Sequence, residues 1–555
     1  MTFFRSFIKA PLWSLFFVFL LYQQTQAAES AIASAHPLAT NAGMAILEQG
    51  GNAFDAAVTV SAVLGVVEPY GSGFGGGGFW LLHRQADQKQ VMIDGRETAP
   101  LAAHRDMYLD DSGNVIPNAS INGPLSAGIP GMPAALVHLA ENYGLLPLKT
   151  TLAPAIEIAE QGFEVESYYQ KMAGWRLQAL QDSFSASEIF LQDNDVPESG
   201  YKIRQPELAA TIKLIAEKGF DGFYKGTVAE KLIRGVRDNG GIWSSEDLTD
   251  YQVIERQPVV FEYRGKKIIS AALPSSGGIV MAQIFNILSN YDLTALNQTQ
   301  QIHLVIEAMR RAYQQRAKYL GDLDFVDVDV KKLISQVHAY RLAENIQLDK
   351  ASVSQDAEAR QKGRDTTHFS IIDKAGNRVA ATLSINYPFG SGFVPEGTGV
   401  LLNDEMDDFS SSPGVPNVYG LVGSSANAIE PGKRMLSSMS PTFVESDDGV
   451  AILGTPGGSR IISMVTLAVL AMDKTTNPKD WVDLPRYHHQ NLREHVQYEK
   501  GAFTENQITQ LTDFGHKLTQ LEIPYGNMHA IYLDKKTGQV TAASDSRGIG
   551  LATVK

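Results

Sequence analysis

Cysteine is absent from the 555-residue sequence, and its absence excludes several kinds of chemistry at once. Without it the chain has no disulfide, no thiolate metal site, no thiol nucleophile and no thiol to carry a lipid anchor. Charged residues are also few, at 19%, whereas hydrophobic residues make up 44%. We therefore expect a folded protein of two to four domains whose stability comes from a large packed core rather than from cross-links.

Positive charge is scarce relative to negative charge, because 47 lysines and arginines face 61 aspartates and glutamates, for a formal net charge of -14. No basic tract follows the N-terminal region, so nucleic acid and anionic membrane surfaces are poor candidate partners. The sequence also lacks a Walker motif, an HExxH motif, a coiled-coil heptad and an internal repeat. We predict no nucleic-acid partner, no cofactor and no metal.

The N-terminal segment has the pattern of an export signal. Arg5 and Lys9 precede an apolar run over residues 12–22, and Thr25-Gln26-Ala27 offers small residues for cleavage. The apolar run is short for a membrane span, although an uncleaved anchor stays an alternative. We predict a signal peptide over residues 1–27, no stable membrane span after its removal, and a mature protein that is periplasmic or secreted.

Residues 366–386 predict a β-hairpin that brings hydroxyl and amide side chains together. Residues 366–372 and 379–385 are rich in β-branched and apolar residues, and Gly376-Asn377 between them is a turn signal. The hairpin would place Ser384 and Asn386 beside Thr366. On local pattern alone, two threonines at the head of a strand can also be ordinary strand composition.

A glycine-rich stretch over residues 71–78 contains a formal GxGxxG pattern, but a helical pattern precedes it and a strand follows it. A dinucleotide site needs the reverse order, so we predict close approach of backbones instead. After the next strand, Arg96 lies in a loop from which a guanidinium can bind a carboxylate with two hydrogen bonds. The alternative is a surface arginine paired with Glu97 or Asp94.

Four acidic residues fall within residues 404–408, which predicts either a cation site or a solvated loop. Calcium would favour alternating oxygen ligands in a longer loop, so a pocket for an ammonium group is the sharper alternative. Just before this loop, residues 400–402 predict a short strand. Beyond the loop, Tyr419 lies in a Gly/Pro/Ser-rich stretch of the kind that can cover a pocket, and Ser437-Ser438 offers two adjacent hydroxyls.

Gly457-Gly458 precedes an apolar helix that is predicted from residue 461. Consecutive glycines that open a helix can point backbone N–H groups at an anion or at a developing oxyanion, although a tight structural turn is the alternative. Far upstream, the predicted helix over residues 299–320 carries charged residues that indicate a solvated or packing face. These are Glu307, Arg310, Arg311 and Arg316.

Together these features describe a site for a zwitterion that bears an acyl group. In their order along the chain they resemble a γ-glutamyltransferase (glutathione hydrolase) precursor of the N-terminal-nucleophile hydrolase superfamily. The resemblance covers nearly all of the mature chain. It runs from Gly50-Gly51-Asn52 and the glycines at 75–78, through Asp365-Thr366-Thr367-His368, to the Pro-Gly-Gly-Ser-Arg motif at 456–460.

The resemblance implies a precursor that cuts itself between Asp365 and Thr366. A large subunit of residues 28–365 and a small, catalytic subunit of residues 366–555 would form a heterodimer. The new α-amine of Thr366 would act as base for its own Oγ nucleophile. The substrates would be glutathione and other γ-glutamyl compounds, and the acyl group would pass to water or to an amino acid or dipeptide acceptor.

The same match implies roles for single residues. Arg96, Ser437 and Ser438 would bind the substrate α-carboxylate, and Asn386, Glu405 and Asp408 would bind its α-ammonium. Gly457 and Gly458 would hold the oxyanion, Ser384 would hold the Thr366 amine or Oγ, and Tyr419 would belong to a lid. Many relatives have Gln in place of Glu405 or Thr in place of Ser384, which leaves acceptor preference and pH profile open.

The implied fold is α+β, a four-layer α/β/β/α sandwich in which two largely antiparallel sheets lie between helical layers and both subunits contribute. Two rival functions stay open at this point. One is an enzyme for a different acyl group, such as a β-lactam side chain or poly-γ-glutamate. The other is a catalytically silent binding protein for γ-glutamyl compounds, which would have no need of a cut before Thr366.

Overall fold

A computed structural model describes residues 29–354, 366–410, 417, 420–492 and 494–555. The predicted signal peptide over residues 1–27, Asp365 with most of the segment before it, and Tyr419 lie outside the described residues. Within the described ranges, no helix is both long enough and apolar enough to cross a membrane.

The helices begin at caps that the sequence predicts. Asn52 caps the second helix and forms a reciprocal capping box with Asp55, directly after the Gly50-Gly51 pair that follows the first helix. The helices are α1 Pro37–Glu48, α2 Ala53–Val67, α3 Met132–Asn142, α4 Leu148–Gln161, α5 Ser167–Gln181, α6 Phe184–Phe190, α7 Pro206–Lys218, α8 Asp221–Tyr224, α9 Gly226–Asp238, α10 Ser245–Thr249, α11 Gly277–Leu288, α12 Gln298–Tyr319, α13 Val330–Leu333, α14 Gln336–Ala343, α15 Ile461–Ala471, α16 Pro478–Val482 and α17 Glu505–Asp513.

The strands come from both ends of the chain. They are β1 Ala31–Ser34, β2 Gly77–Arg84, β3 Lys89–Gly95, β4 Phe163–Glu164, β5 Lys202–Ile203, β6 Ile254–Arg256, β7 Val259–Tyr263, β8 Lys266–Ser270, β9 Thr367–Ile372, β10 Arg378–Ser384, β11 Thr442–Glu445, β12 Gly449–Gly454, β13 Tyr487–His488, β14 Val496–Tyr498, β15 Leu518–Gln520, β16 His529–Asp534, β17 Val540–Ser544 and β18 Leu551–Val554.

Two antiparallel sheets form the centre of the fold. The first has the order β18-β1-β9-β10-β2-β3-β6 and the second β17-β16-β12-β11-β8-β7. In the first sheet, β9 and β10 lie between β1 and β2. Residues on both sides of the predicted cut therefore share one sheet, as the predicted fold requires.

The side chains of β2 alternate between two cores, which shows how the layers stack. Trp80 and Leu82 join a core with α1 to α9, whereas Phe79 and Leu81 face a core shared with the second sheet and with α11, α12 and α15. Both faces of the first sheet are buried, one by helices and one by the other sheet. The molecule is the predicted four-layer α/β/β/α sandwich.

The hairpin prediction is confirmed, and its register decides the geometry of the site. Thr367 lies opposite Leu383 in the β9–β10 pair, so Ser384 comes level with Thr366. The predicted strand over residues 400–402 is wrong, because only Leu402 makes a β-bridge, to Gly75. Gly397 and Gly399, just before it, have positive φ angles that interrupt an extended chain.

Charged residues on α12 are mostly buried, so the packing alternative for that helix is correct and the solvated one is wrong. Glu307 is 0% exposed, and Arg310 and Arg316 are each 4% exposed. Their partners lie elsewhere in the chain: Arg310 pairs with Glu494, and Arg316 contacts Ser276 and Ser438.

Candidate active site

One small cavity brings together most of the residues that the sequence predicts for the site. The volume of this cavity in the uncut chain is about 20 Å³, which is room for about one water molecule. A γ-glutamyl group is larger, so the site must open to admit it. The predicted residues that line the cavity are Arg96, Thr366, Ser384, Asn386, Asp408, Ser437, Ser438 and Gly458.

Thr366 stands at the head of β9 with a φ angle of +128°. A β-branched residue in this region is a genuine outlier, and such a conformation costs about 1–3 kcal/mol that the surrounding structure must hold in place. Asn386, level with the same end of the hairpin, also has a positive φ, of +71°. The backbone is therefore strained at the point where the sequence predicts the cut.

Arg96 follows β3 and is 1% exposed. Its Nη1 lies 2.8 Å from Glu405 Oε2, its Nη2 lies 2.6 Å from Asp408 Oδ2, and Glu97 Oε2 is 3.7 Å from Nη1. The alternative of a surface arginine is therefore wrong, although the contact with Glu97 that it included exists. One guanidinium therefore faces three buried carboxyl groups, two of them 309 or more positions away in the chain.

The three carboxyl groups are not fully neutralised by Arg96. Burial raises the pKa of Glu97 well above its usual range, and the charge of Glu405 raises it further, while Arg96 lowers it. Burial likewise raises the pKa of Glu405 to about 7, against the lowering effect of Arg96. The pKa of Asp408 is raised by the same burial. The site favours an added positive charge.

Two side chains of the acidic loop contact Arg96, and the other two form hydrogen bonds elsewhere in the protein. Glu405 and Asp408, in a 3-10 turn over residues 405–408, reach Arg96. Asp404 accepts a hydrogen bond from Tyr387 N at 2.9 Å, and Asp407 accepts one from Ser120 Oγ at 2.7 Å. Since all four carboxylates already contact donors of the protein, Glu405 and Asp408 through Arg96, the loop does not fit the calcium alternative.

Ser384 and Asn386 are linked to each other and to that loop. Asn386 N donates to Ser384 Oγ at 2.8 Å, and Asn386 Nδ2 donates to the Asp404 carbonyl at 3.0 Å. The hydroxyl of Ser384 also lowers the pKa of Glu405. The end of the hairpin thus holds the acidic loop against Thr366.

The serine pair has a cationic neighbour that the sequence does not indicate. Arg316 Nη2 donates to Ser438 Oγ at 3.2 Å, and the Arg316 side chain is buried. No local pattern could have revealed this contact, because Arg316 lies 122 residues before Ser438. A second guanidinium therefore stands behind the hydroxyls that are predicted to receive a carboxylate.

Gly457 and Gly458 form the turn that opens α15, with φ angles of +137° and +56°. Two successive residues with positive φ are readily accommodated only by glycine. Gly458 lines the cavity, next to Ser459. Successive backbone N–H groups in such a turn make a concave site for an anion.

A hydroxyl residue at the head of a central strand, inside a sandwich of two antiparallel sheets and two helical layers, defines the class of N-terminal-nucleophile hydrolases. The family model for gamma-glutamyltranspeptidase matches residues 39–554. The chain belongs to the γ-glutamyltranspeptidase family.

Individual relatives agree with this assignment. The chain is 41% identical over 526 residues to the glutathione hydrolase proenzyme of Pseudomonas sp. (strain A14), covering 93% of this chain and 91% of the relative. It is 39% identical to the glutathione hydrolase proenzyme of Escherichia coli (strain K12), with coverage of 95% and 92%.

Solved structures show the same architecture. The cephalosporin acylase of Bacillus halodurans superimposes with a TM-score of 0.83 at 27% identity and covers 95% of this chain and 96% of its own. A chain of the γ-glutamyltranspeptidase of Helicobacter pylori superimposes with a TM-score of 0.56 at 40% identity, covering 57% of this chain and 92% of its own.

Proposed function

We propose that the protein is an exported, self-processing γ-glutamyltransferase and glutathione hydrolase with Thr366 as its nucleophile. The observation that carries the proposal is the cavity in which Thr366 lies beside Arg96 and Asp408. A hydroxyl nucleophile next to a cluster of opposite charges suits an acyl group attached to a zwitterion, and a γ-glutamyl group is one.

Self-processing would separate residues 28–365 from residues 366–555. Thr366 Oγ attacks the Asp365 carbonyl, a C–O bond forms, and the C–N bond breaks as the nitrogen takes up a proton. Water then hydrolyses the ester, which frees the Asp365 carboxylate and the Thr366 α-amine. Relatives that carry the word proenzyme in their names support this step.

Turnover would repeat the chemistry on substrate. The α-amine of Thr366, with a usual pKa of about 8, takes the proton from Oγ as Oγ attacks the γ-glutamyl carbonyl. The amides of Gly457 and Gly458 would stabilise the oxyanion, worth about 3–4 kcal/mol per donor. The leaving amine takes the proton, and water or an acceptor amine then cleaves the ester.

The charges of the site favour a γ-glutamyl donor over a bulky apolar acyl group. Arg96, Ser437 and Ser438 would receive the α-carboxylate, with Arg316 behind Ser438. The α-ammonium would go to Asn386, Glu405 and Asp408. A bound ammonium supplies the positive charge that the carboxyl cluster lacks.

The test is an assay on the mature protein with a γ-glutamyl anilide, with and without glycylglycine. We expect anilide release by the wild type, faster release with glycylglycine, and none by Thr366→Ala. The same assay with an anilide of an uncharged acyl group should give no release. Release from that compound but not from the γ-glutamyl anilide would overturn the proposed substrate class.

A further inference from the structure

Glu68 lies beneath the nucleophile strand and outside the substrate cavity. It caps the end of α2, is 4% exposed, and its Oε2 accepts a hydrogen bond from Thr367 Oγ1 at 2.7 Å. Thr367 immediately follows the proposed nucleophile and points away from it, because successive side chains on a strand alternate. The proposed function gives neither Glu68 nor Thr367 a role.

The backbone around Glu68 also packs against Thr366. The N–H groups of Gly71 and Ser72 donate to the Glu68 carbonyl at 2.8 and 3.0 Å, which closes a turn. A Cβ on Gly71 would lie 3.3 Å from the Thr366 carbonyl oxygen, so the turn touches the strained residue directly. Residues 68–72 thus lie against the Thr366 carbonyl and bind the hydroxyl of Thr367.

A strained conformation persists only where the surroundings determine it. Strand pairing with Leu383 fixes the backbone of Thr367, and the bond to Glu68 fixes its side chain. If that bond is lost, the head of β9 is free to relax, and Thr366 can adopt an ordinary extended conformation. The attacking Oγ would then lose its orientation.

We propose that Glu68 is a positioning residue for the Thr366 nucleophile, acting through the hydroxyl of Thr367. The proposal rests on the proposed function, because it presumes that Thr366 performs the cut. The carboxylate form of Glu68 makes the stronger bond, since a hydrogen bond to an ionised acceptor is shorter and stronger than one between neutral groups. Glu68 therefore makes self-cleavage dependent on its own ionisation.

Glu68 can exchange a proton through a neighbouring cavity that is large enough to hold water molecules. It lines a cavity of about 190 Å³ together with Tyr70, Pro456, Tyr525 and Asn527. Burial raises the pKa of Glu68 to about 7, with a further rise from Glu166 and a lowering by the hydroxyls of Thr367 and Tyr70.

The other charged groups that face this cavity do not fix Glu68 in one state. Lys171 of α5 and Arg547 of the C-terminal segment line the same cavity, and Glu166 lies at the start of α5. No cation among the described residues lies within ion-pairing distance of Glu68, whereas Arg547 pairs with Glu499 and Asp545. The ionisation of Glu68 is thus free to change near neutral pH.

The test measures the rate of self-cleavage of the full chain after a short cell-free synthesis, by denaturing electrophoresis over time, between pH 5.5 and 8.5. For the wild type we expect the rate to fall as pH falls through about 7. Glu68→Gln should cleave about tenfold more slowly at pH 8, because it loses one charge-assisted hydrogen bond. Its cleavage rate should also lose this dependence on pH.

A double-mutant cycle separates positioning from general destabilisation. Thr367→Val, which keeps the shape but removes the hydroxyl, should slow cleavage as much as Glu68→Gln, and the double variant should be no slower than either. In mature protein, kcat should fall while the KM for the donor stays unchanged. Glu166 raises the pKa of Glu68 through its charge but makes no contact with Thr367, so Glu166→Gln should keep the plateau rate and move the pH midpoint downward.

Each outcome decides one proposal. Thr366→Ala, run alongside, must stay uncut, and if it is cut the proposed function fails whatever Glu68 does. If Thr366→Ala is inert while Glu68→Gln cleaves at the wild-type rate with the wild-type pH profile, the role of Glu68 is wrong and the nucleophile stands. Additive effects in the cycle, or a raised donor KM with lowered thermal stability, also overturn the positioning role.

Discussion

Two buried ion clusters lie in this fold, and they differ in how completely their charges are matched. In the first, Glu307 on α12 accepts hydrogen bonds from Arg310, from Arg311 and from the backbone and hydroxyl of Ser352. Arg310 also forms an ion pair with Glu494. Two guanidinium groups meet two carboxylates, and every oxygen of Glu307 has a donor.

The second cluster surrounds Arg96, which among the residues that the structure describes is the one cation that makes ion pairs with Glu97, Glu405 and Asp408. Among the described residues, Arg96 and the hydroxyl of Ser384 act on Glu405, but neither makes a hydrogen bond of regular geometry with it, and the carboxylate oxygens of Glu97 also lack one. Arg316, a second buried cation, acts on Asp408 through the longer-range effect of its charge.

The difference separates a structural cluster from a functional one. Burial alone would raise the pKa of Glu307, but Ser352, Arg310 and Arg311 together lower it to about 2. The pKa of Glu405 is instead raised to about 7. A site that leaves carboxyl groups unmatched is incomplete, and the ammonium of a zwitterionic substrate would complete it.

Removal of Arg96 should have the largest effect, because it breaks the functional cluster at its centre. For Arg96→Gln we expect kcat/KM for a γ-glutamyl donor to fall about 100-fold or more, since leaving buried charges unpaired costs about 3–5 kcal/mol. Steady-state kinetics on folded protein measure this. The kcat/KM of Arg96→Lys, which keeps the charge but not the two-armed geometry, should lie between those of the wild type and Arg96→Gln. A change below threefold in Arg96→Gln would mean that the cluster does not bind the donor.

Glu307→Gln should break the structural cluster and leave the chemistry intact. We expect a loss of stability of about 3–5 kcal/mol at pH 7, because two buried guanidinium groups lose a partner. Thermal unfolding and kcat/KM of the folded fraction measure the two effects. Glu217→Gln, at an exposed position on α7, is the matched control and should change neither. A large loss of kcat/KM in folded Glu307→Gln would show that the cluster around Glu307 also takes part in function, which would contradict the comparison of the two clusters.

Glu405→Gln should remove one pH dependence from substrate binding. In the wild type, Glu405 loses its charge as pH falls through about 7, so the KM for the donor should rise about tenfold between pH 8 and pH 5.5. The variant should have a high KM that changes little over this range. A parallel rise in both proteins would show that another group governs the KM.

The smallest expected effect is an opposite pH dependence of stability in the two clusters. The folded pKa of Glu307 is lowered, so its stabilisation is complete above pH 4.5 and is lost as pH falls towards 2. The folded pKa of Glu405 is raised, so the folded state binds the extra proton between pH 4.5 and 7, and stability falls as pH rises through that window.

Thermal unfolding of the two Gln variants against the wild type tests these signs. Glu405→Gln should be more stable than the wild type above pH 7, by about 1–3 kcal/mol, and should lose this advantage near pH 4.5. Glu307→Gln should be less stable than the wild type at pH 7 and should approach it below pH 4.5. If both variants were more stable than the wild type at pH 8, or both less stable, the comparison of the two clusters would be contradicted.

Local signals predicted the elements that local chemistry controls. The Asn52 cap, the Gly376-Asn377 turn and the strands that it joins are all present, and the turn alone places Ser384 level with Thr366. The close approach predicted for the glycine run is confirmed, since a Cβ on Gly76 would lie 2.2 Å from the Ser384 carbonyl oxygen. The cap, the turn and the strands depend on residues close together in the chain, whereas the glycine run indicates a close approach without identifying its partner.

The charge partners could not be derived in this way. Arg96 meets Glu405 and Asp408 from 309 and 312 positions away, and Arg316 meets Ser438 across 122. Only the resemblance to a family indicated the grouping around Arg96, and nothing in the pattern of α12 distinguished a buried helix face from a solvated one. The strand predicted at residues 400–402 failed because its neighbours Gly397 and Gly399 turn the chain.

The central claim is that Thr366 is the nucleophile that first cuts the chain and then turns over substrate. Intact masses of the purified protein test it most directly. We expect the wild type to give two chains, one ending at Asp365 and one beginning at Thr366, and Thr366→Ala to give a single uncut chain. A wild type that stays whole, or a Thr366→Ala variant that still separates between residues 365 and 366, would contradict the claim.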